Sequence, residues 1–348
     1  MLPKKMSGII LTGHGGPEKL LFSENLDVPS AKKGEVLIKV LAAGVNNTDI
    51  NTRIGWYSKT NTAEDTSWAG NQIKFPLIQG IDGYGEIVAV GEGVAKNRVG
   101  QRVLVEPCIT EHEGKKLHSP FFFGSEINGA FAKYTKVPSI HAYQVKDTFS
   151  SLELASFPCS YSTAENMFIR GKVNAQDKVL ITGASGGVGS AAIQLAKLRK
   201  CEVFAITSKA KLQKLKEIGA DHTFARDDNH LSILGKNSID VVIDLVGGKN
   251  FKHLVEILKP KGRYLVSGAV DSPSVNLDLR TLYLNDLSFI GCTRLEKNTF
   301  QNLINYIDNK EIRPLIAKTY SLSNIRNAQE EFLKHKHVGK IVLDLEAL

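Results

Sequence analysis

The segment Val179-Leu180-Ile181-Thr182-Gly183-Ala184-Ser185-Gly186-Gly187-Val188-Gly189 constrains this chain more than any other part of it. Val179 to Thr182 reads as a strand and Gly183 to Gly187 as a turn. Ala191, Ala192, Ile193, Leu195 and Ala196 then recur at helical spacing. A strand that passes through a glycine turn into an apolar helix presents unpaired N–H groups and the positive end of the helix dipole to an anion. That arrangement holds a dinucleotide pyrophosphate. Gly186 lets backbone approach the phosphates and Gly189 lets helix pack close to sheet, while Ala184 stands where the fingerprint has its first glycine. Cofactor contacts are therefore expected from Ala184, Ser185, Gly186, Gly187, Val188 and Gly189. No Gly-Lys-Ser/Thr ending follows, which argues against an ATP-type phosphate loop. A hydrolytic role for Ser185 is not expected.

The same strand–helix rhythm continues from about residue 157. Glu202 to Thr207 reads as a strand, Lys211 to Ile218 as a helix and Ile239 to Val246 as a strand. Helical spacing from Phe251 to Leu258 precedes a strand at Tyr264 to Val266, which ends at Ser267 and Gly268. Such alternation predicts a parallel sheet. The first half differs, with short strands at Glu35–Leu41, Gly85–Val90 and Arg102–Glu106 between glycine turns, the pattern of a β-rich, barrel-like module. Between Gly55 and Pro76, small and polar residues (Asn61, Thr62, Glu64, Asp65, Ser67) surround Trp56, Tyr57 and Trp68. Both a cleft cover and a surface insertion fit that stretch. Glu111–Ser119 reads as a solvated segment. Thr299–Asp308 reads as a late helix, and Gly339–Leu345 as a final strand able to return to the first domain. The expected division is 1–157 completed by 317–348, with 158–316 as the dinucleotide-binding domain.

At the end of the second strand of this unit a carboxylate normally accepts from the ribose 2′-hydroxyl; here the chain reads Thr207-Ser208-Lys209. A hydroxyl and an ammonium suit a 2′-phosphate better, and Lys211 can add to them, so NADP is the expected cofactor, held by Ser208, Lys209 and Lys211. Forty-four basic against 36 acidic residues give a net charge of +8. The basic residues are scattered among acids, so a primary nucleic-acid role is not expected and a small-molecule substrate is. The four cysteines are too sparse for a disulfide framework, and apolar stretches fall short of a membrane span. Both point to a cytoplasmic protein without a membrane association.

Several motifs together resemble the medium-chain dehydrogenase/reductase superfamily, particularly its quinone oxidoreductase-like members. They are Gly44-Val45-Asn46-Asn47-Thr48-Asp49, Gly80-Ile81-Asp82-Gly83-Tyr84-Gly85, the dinucleotide turn, Asp286-Leu287-Ser288-Phe289-Ile290-Gly291 and His337-Val338-Gly339-Lys340-Ile341-Val342-Leu343. The resemblance implies an α/β chain with a GroES-like barrel domain, a Rossmann doubly wound parallel sheet, an active cleft between them and a homodimer. Zinc-dependent relatives carry cysteine where this chain has Asn46 and histidine where it has Ile81, and Cys159 matches their third ligand. The resemblance thus implies no catalytic metal. Zinc-free members commonly reduce activated carbon–carbon double bonds in quinones, enones and related carbonyl compounds, whereas a metal-free carbonyl reductase or alcohol dehydrogenase and a non-enzymatic cofactor-binding protein remain alternatives. The resemblance also implies that Asn46 orients the nicotinamide or a substrate oxygen. Asn51 replaces a common tyrosine, which leaves Tyr57 as the expected proton donor. Arg53 is expected to orient an anion or carbonyl, and Asp49 and Asp82 to brace neighbouring loops. Thr163 and Gly268 are expected beside the cofactor, Thr163 otherwise capping a helix. Lys340 resembles a terminal cofactor-side lysine, a salt bridge or solvent exposure being the alternatives.

Overall fold

A computed structural model describes residues 2–58, 67 and 70–347. The chain divides into two units. One takes in the chain through Cys159, Ile304–Lys310 and everything from Pro314 on; the other is Ser160–Leu303 with Glu311–Arg313. The boundary therefore falls inside the helix Thr299–Asp308, ahead of the position at which the sequence pattern was divided.

The second unit is built on a six-stranded sheet in which every neighbouring pair is parallel. Its order is His222–Ala225, Glu202–Thr207, Lys178–Ile181, Ile239–Asp244, Leu258–Val266, Ser288–Gly291. The first strand in sequence thus lies between the second and the fourth, and the chain reverses its winding there. That is where doubly wound sheets open a crevice at the carboxyl ends of the strands. Val203 to Thr207 and Ile239 to Asp244 are apolar almost without alternation because helices cover both faces. The helix Gly187–Leu198 buries Gly189, Ser190, Ala191, Ala192, Ile193, Leu195 and Ala196, mostly small residues that let its axis approach the sheet. A β-carbon at Gly189 would lie 2.4 Å from the Gly183 carbonyl oxygen and 2.5 Å from the Ala184 Cα. Helix and turn touch there through backbone alone.

The first unit carries a seven-stranded sheet. Glu35–Val45 is its spine, antiparallel to Asp82–Val90 on one side and to Lys340–Asp344 on the other, and pairing also with Tyr134–Pro138. Val36, Ile38, Val40, Ile87, Val103 and Ile341 meet in its apolar core. The expected return of the final strand is present, with Ile341 opposite Val45 and Asp344 opposite Ala42. Glu111–Ser119 is an element of its own, a hairpin of Cys108–His112 and Lys115–Phe122 whose turn residues are exposed. Solvation alone could not distinguish it from a loop. Of the polar stretch after Gly55, Ser67 is buried and its hydroxyl donates to Glu126. Asn61, Thr62, Glu64, Asp65 and Trp68 lie outside the described residues.

Replacing Gly189 by alanine should force helix and turn apart. A loss of about 1–3 kcal/mol in urea unfolding is expected, and an unchanged midpoint and slope would show that this contact has room to relax.

Candidate functional site

In the second unit the site is the turn after Lys178–Ile181. Gly183 takes a left-handed φ of 57°, and Gly186 is the N-cap of Gly187–Leu198 in an extended conformation. An added β-carbon at Gly186 would meet nothing nearer than the Gly183 oxygen at 3.5 Å. The turn therefore leaves open space directly before a helix whose first N–H groups have no partner within the helix. Gly187 and Val188 are half-buried beside it. Ala184 has a different place from the one expected: it is fully buried and its N–H donates to the Ile206 oxygen at 3.1 Å, so it packs the turn and has no donor left for a phosphate.

Ser185, Ser208, Lys209 and Lys211 gather at the end of Glu202–Thr207. Lys211 is 9% exposed and its ammonium donates to the Ser185 hydroxyl at 3.2 Å. Burial pulls its pKa down, and the charge of Arg226 adds to that. Arg226, which the sequence reading passed over, follows the strand His222–Ala225 and is tied by its N–H to the Thr207 oxygen at 2.7 Å. Its position one residue beyond a strand neighbouring the cofactor strand was the only available signal. Two cations that repel each other at one strand end are what a 2′-phosphate would relieve.

The carboxyl ends of the next strands are fixed by Asp244, fully buried. Its carboxylate accepts from the Thr182 hydroxyl at 2.5 Å, from the N–H groups of Val246 (2.9 Å) and Gly247 (3.1 Å), and from the Tyr264 hydroxyl. Gly268 completes this rim, since a β-carbon there would lie 2.7 Å from the Leu245 oxygen. Thr163 lies inside the helix Pro158–Arg170, half-buried, so it cannot be its N-cap. Open space before a helix start, with Lys211 and Arg226 after the neighbouring strands, fits a phosphate-bearing nicotinamide dinucleotide.

In the first unit two ladders place a second group of residues. Gly44 pairs with Asp82 and Val45 with Ile341, which sets Asn46, Asp82 and Lys340 side by side. The Lys340 ammonium is 2.7 Å from Asp82 Oδ2 and donates to Asn46 Oδ1, while Asn46 Nδ2 donates to Asp82 Oδ2 at 2.8 Å. Asp82 Oδ1 accepts from the Cys159 N–H at 2.6 Å, at the start of Pro158–Arg170. Gly44 has to be glycine, for a β-carbon would lie 2.4 Å from Asp82 Oδ2. The Asn46 amide is thus committed to the protein, which departs from the expectation that it orients a ligand directly. Of the readings open for Lys340, the structure shows the salt bridge, with the side chain buried and not solvent-exposed.

These side chains do not fit a catalytic zinc. The Asn46 oxygen is held by an ammonium, Ile81 has no donor atom, and Cys159 remains as one ligand where three are needed. Among the described residues, no group of three or more His, Cys, Asp or Glu could hold a metal ion.

The helix Asn47–Arg53 presents the remaining candidates. The Tyr57 hydroxyl donates to Thr48 Oγ1 at 3.2 Å and accepts from Asn51 Nδ2 at 3.3 Å. Burial pushes the Tyr57 pKa up to about 12, against the hydrogen bonds from Thr48 and Asn51. The phenol therefore keeps its proton at neutral pH. Thr48 was missed by the sequence reading; a helix-borne hydroxyl between Asn47 and Asp49 carries no signature by itself. Arg53 is a correction. It is 2% exposed, its guanidinium donates to the Gly15 oxygen at 2.7 Å and to Gln329 at 2.9 Å, and it clamps the N-terminal loop to the helix Ile325–Leu333. Two of its five N–H donors are held by the protein, and the buried side chain faces inward from the last turn of its helix, not outward to a ligand.

Asp49 accepts from the Asn46 N–H at 2.8 Å and the Ile81 N–H at 3.3 Å. Burial raises its carboxyl to about 7, opposed by the Asn46 N–H, with Asp82 adding to the rise. An unfolded aspartate titrates near about 4, so from roughly pH 4 to 7 the native chain holds a proton that the unfolded chain has released. Asp49's contribution to stability should fall as pH rises through that window and level off above it. Urea unfolding across the window should show a shallower decline in Asp49→Asn; an identical slope would mean that Asp49 is ionised throughout.

Residues 32–147 match the alcohol dehydrogenase GroES-like domain family, and residues 187–309 the zinc-binding dehydrogenase family. A solved candidate alcohol dehydrogenase from Sinorhizobium meliloti 1021 is 42% identical, with a TM-score of 0.92 over 99% of this chain and 97% of that one. Acryloyl-coenzyme A reductase of Metallosphaera sedula is 29% identical over 97% of this chain and 99% of its own length. Quinone oxidoreductase of Rattus norvegicus is 27% identical over 98% of each. With a GroES-like domain, a Rossmann-type parallel sheet and these relatives, the chain belongs to the medium-chain dehydrogenase/reductase superfamily, in its quinone oxidoreductase-like branch, and is an oxidoreductase on a pyridine-nucleotide-dependent fold.

Proposed function

We propose that this chain is an NADPH-dependent, zinc-independent oxidoreductase that transfers hydride to a small activated alkene or quinone-like carbonyl compound. The observation that carries the reading is the open turn at Gly186 with Lys211 and Arg226 beside it. When bound, the reduced nicotinamide supplies the hydride that reaches the electrophilic carbon. The helix start at Gly186 to Gly189 holds the pyrophosphate, and Ser208, Lys209, Lys211 and Arg226 hold the 2′-phosphate. Negative charge then develops on the conjugated oxygen of the substrate. Tyr57 meets it, exchanging its bond to Thr48 for one to that oxygen, while Asn51 keeps the phenol in place. The remaining proton reaches the α-carbon from Tyr57 or from solvent. A metal is not needed when the charge is spread over a conjugated system. The Metallosphaera relative, whose named substrate carries an activated double bond, supports this class.

The 42% identity to a candidate alcohol dehydrogenase favours a second reading, metal-free reduction of a carbonyl by the same tyrosine. A panel pairing NADH and NADPH with enones, quinones, aldehydes and alcohols, followed at the reduced-nicotinamide absorbance with product identification, separates the two. A saturated ketone from an enone supports hydride delivery to the alkene β-carbon; an allylic alcohol, formed by hydride delivery to the carbonyl carbon, supports the second reading. Cofactor binding without turnover of any pair would favour a binding protein.

Lys211→Ala combined with Arg226→Ala should weaken NADPH binding about tenfold or more while changing NADH little, since charge-assisted phosphate contacts are lost. An unchanged NADPH/NADH affinity ratio rejects the 2′-phosphate site. Gly186→Ala should weaken both cofactors with an unfolding midpoint close to wild type. Tyr57→Phe should lower kcat about 100-fold with cofactor affinity retained; full turnover would remove Tyr57 from the chemistry.

A further inference from the structure

We infer that Lys340 is a positioning residue: its ammonium is the fixed cation of this cluster, and it orients Asn46 and Asp82. The inference rests on the zinc-independent reading above. Three buried groups form one closed cluster. Asp82 is fully buried, Lys340 is 3% exposed and Asn46 6%. A carboxylate in that setting needs a partner of opposite charge. Lys340 supplies it at 2.7 Å, and the same ammonium fixes the amide of Asn46. Because Lys340 takes the Asn46 oxygen, the amide can present only its nitrogen to Asp82 and to the Gly44 oxygen at 3.4 Å, so its flip state is set. The far oxygen of Asp82 then holds the Cys159 N–H and with it the start of the helix Pro158–Arg170.

The cation reaches the cluster from 294 residues away in sequence, through the pairing of Lys340–Asp344 with Glu35–Val45. The cluster adjoins the helix that carries Thr48 and Asn51, the two partners of the Tyr57 hydroxyl, because Asn46 is that helix's N-cap and Asp49 accepts from the Asn46 N–H. A shift of Asn46 is therefore passed to the Tyr57 hydroxyl by the backbone of Asn47–Arg53. Such a role differs from a lysine that touches the cofactor. Loss of a cofactor contact raises KM for NADPH, whereas loss of a positioning charge lowers kcat.

The test uses the full chain with NADPH and 2-cyclohexen-1-one. Lys340→Met should lower kcat about 10- to 100-fold with KM for NADPH changed less than about threefold. Lys340→Arg should restore kcat to within about threefold of wild type, since a guanidinium keeps the charge. Adding Asp82→Asn to Lys340→Met should recover part of the lost unfolding midpoint, because no lone carboxylate remains. The Asn46 side-chain amide resonances, assigned through Asn46→Gln, should move in Lys340→Met and return in Lys340→Arg. The inference is overturned if Lys340→Met keeps kcat, if it raises KM alone, or if the Asn46 amide does not respond. Stoichiometric zinc in the wild-type protein, measured by mass spectrometry, would overturn it together with the zinc-independent reading. Absence of turnover on the enone in wild type would defeat the proposed substrate class alone, leaving the amide resonances and the unfolding cycle to decide the role of Lys340.

Discussion

The pairing of the last strand, Lys340–Asp344, with Glu35–Val45 is the constraint on which the first unit depends. Ile341 lies opposite Val45, and the ladder then places a lysine from the chain's end against an asparagine and an aspartate from its first quarter. Taking one partner out of a buried pair of this kind leaves an uncompensated charge and costs about 3–5 kcal/mol. The register is held equally by the apolar alternation that sends Ile341 and Leu343 into the core. Strand pairing, core and ion pair therefore specify the same alignment. A slip of one residue would turn Ile341 and Leu343 out of that core and withdraw the cation from Asp82 together.

The second unit depends on a different economy of space. Gly189 is where backbone meets backbone, and Gly186, three residues earlier, is where there is room. The same residue type serves opposite purposes in one turn. One glycine lets the helix approach the sheet; the other keeps the space before the helix N-terminus clear. Asp244 draws Thr182, Tyr264 and two backbone N–H groups together, so the loops at the carboxyl ends of adjacent strands are braced by one carboxylate. A crevice with rigid edges follows, which is what phosphate recognition by backbone N–H groups requires.

The two groups of residues also divide the electrostatic work. Burial and the neighbouring charge of Arg226 both disfavour the charged form of Lys211, whereas Lys340 is matched by Asp82. The first arrangement sets two cations near one another after the ends of neighbouring strands. The second keeps internal geometry constant, and Tyr57, kept neutral by burial, is bonded to Thr48 and Asn51 on the adjoining helix.

Much of the fold was legible in the order of residues alone. Strand, turn and helix around Gly183 to Gly189 follow from local periodicity and glycine placement, and so do the helix Thr299–Asp308 and the strand Glu202–Thr207, because each is decided by neighbours within a few positions. Sequence also supplied the hydroxyl and ammonium at Ser208 and Lys209, and the loss of metal donors at Asn46 and Ile81. It could not tell that Arg53 turns inward to Gly15 and Gln329, that the Ala184 N–H is already used, or that Thr48 and Arg226 join the groups they join. Nor could it tell whether Lys340 would meet a cofactor or Asp82. Each of those depends on which segments, far apart along the chain, pack against one another. A side chain's identity fixes what bonds it can make, but only the packed strands and helices decide which partner is within reach.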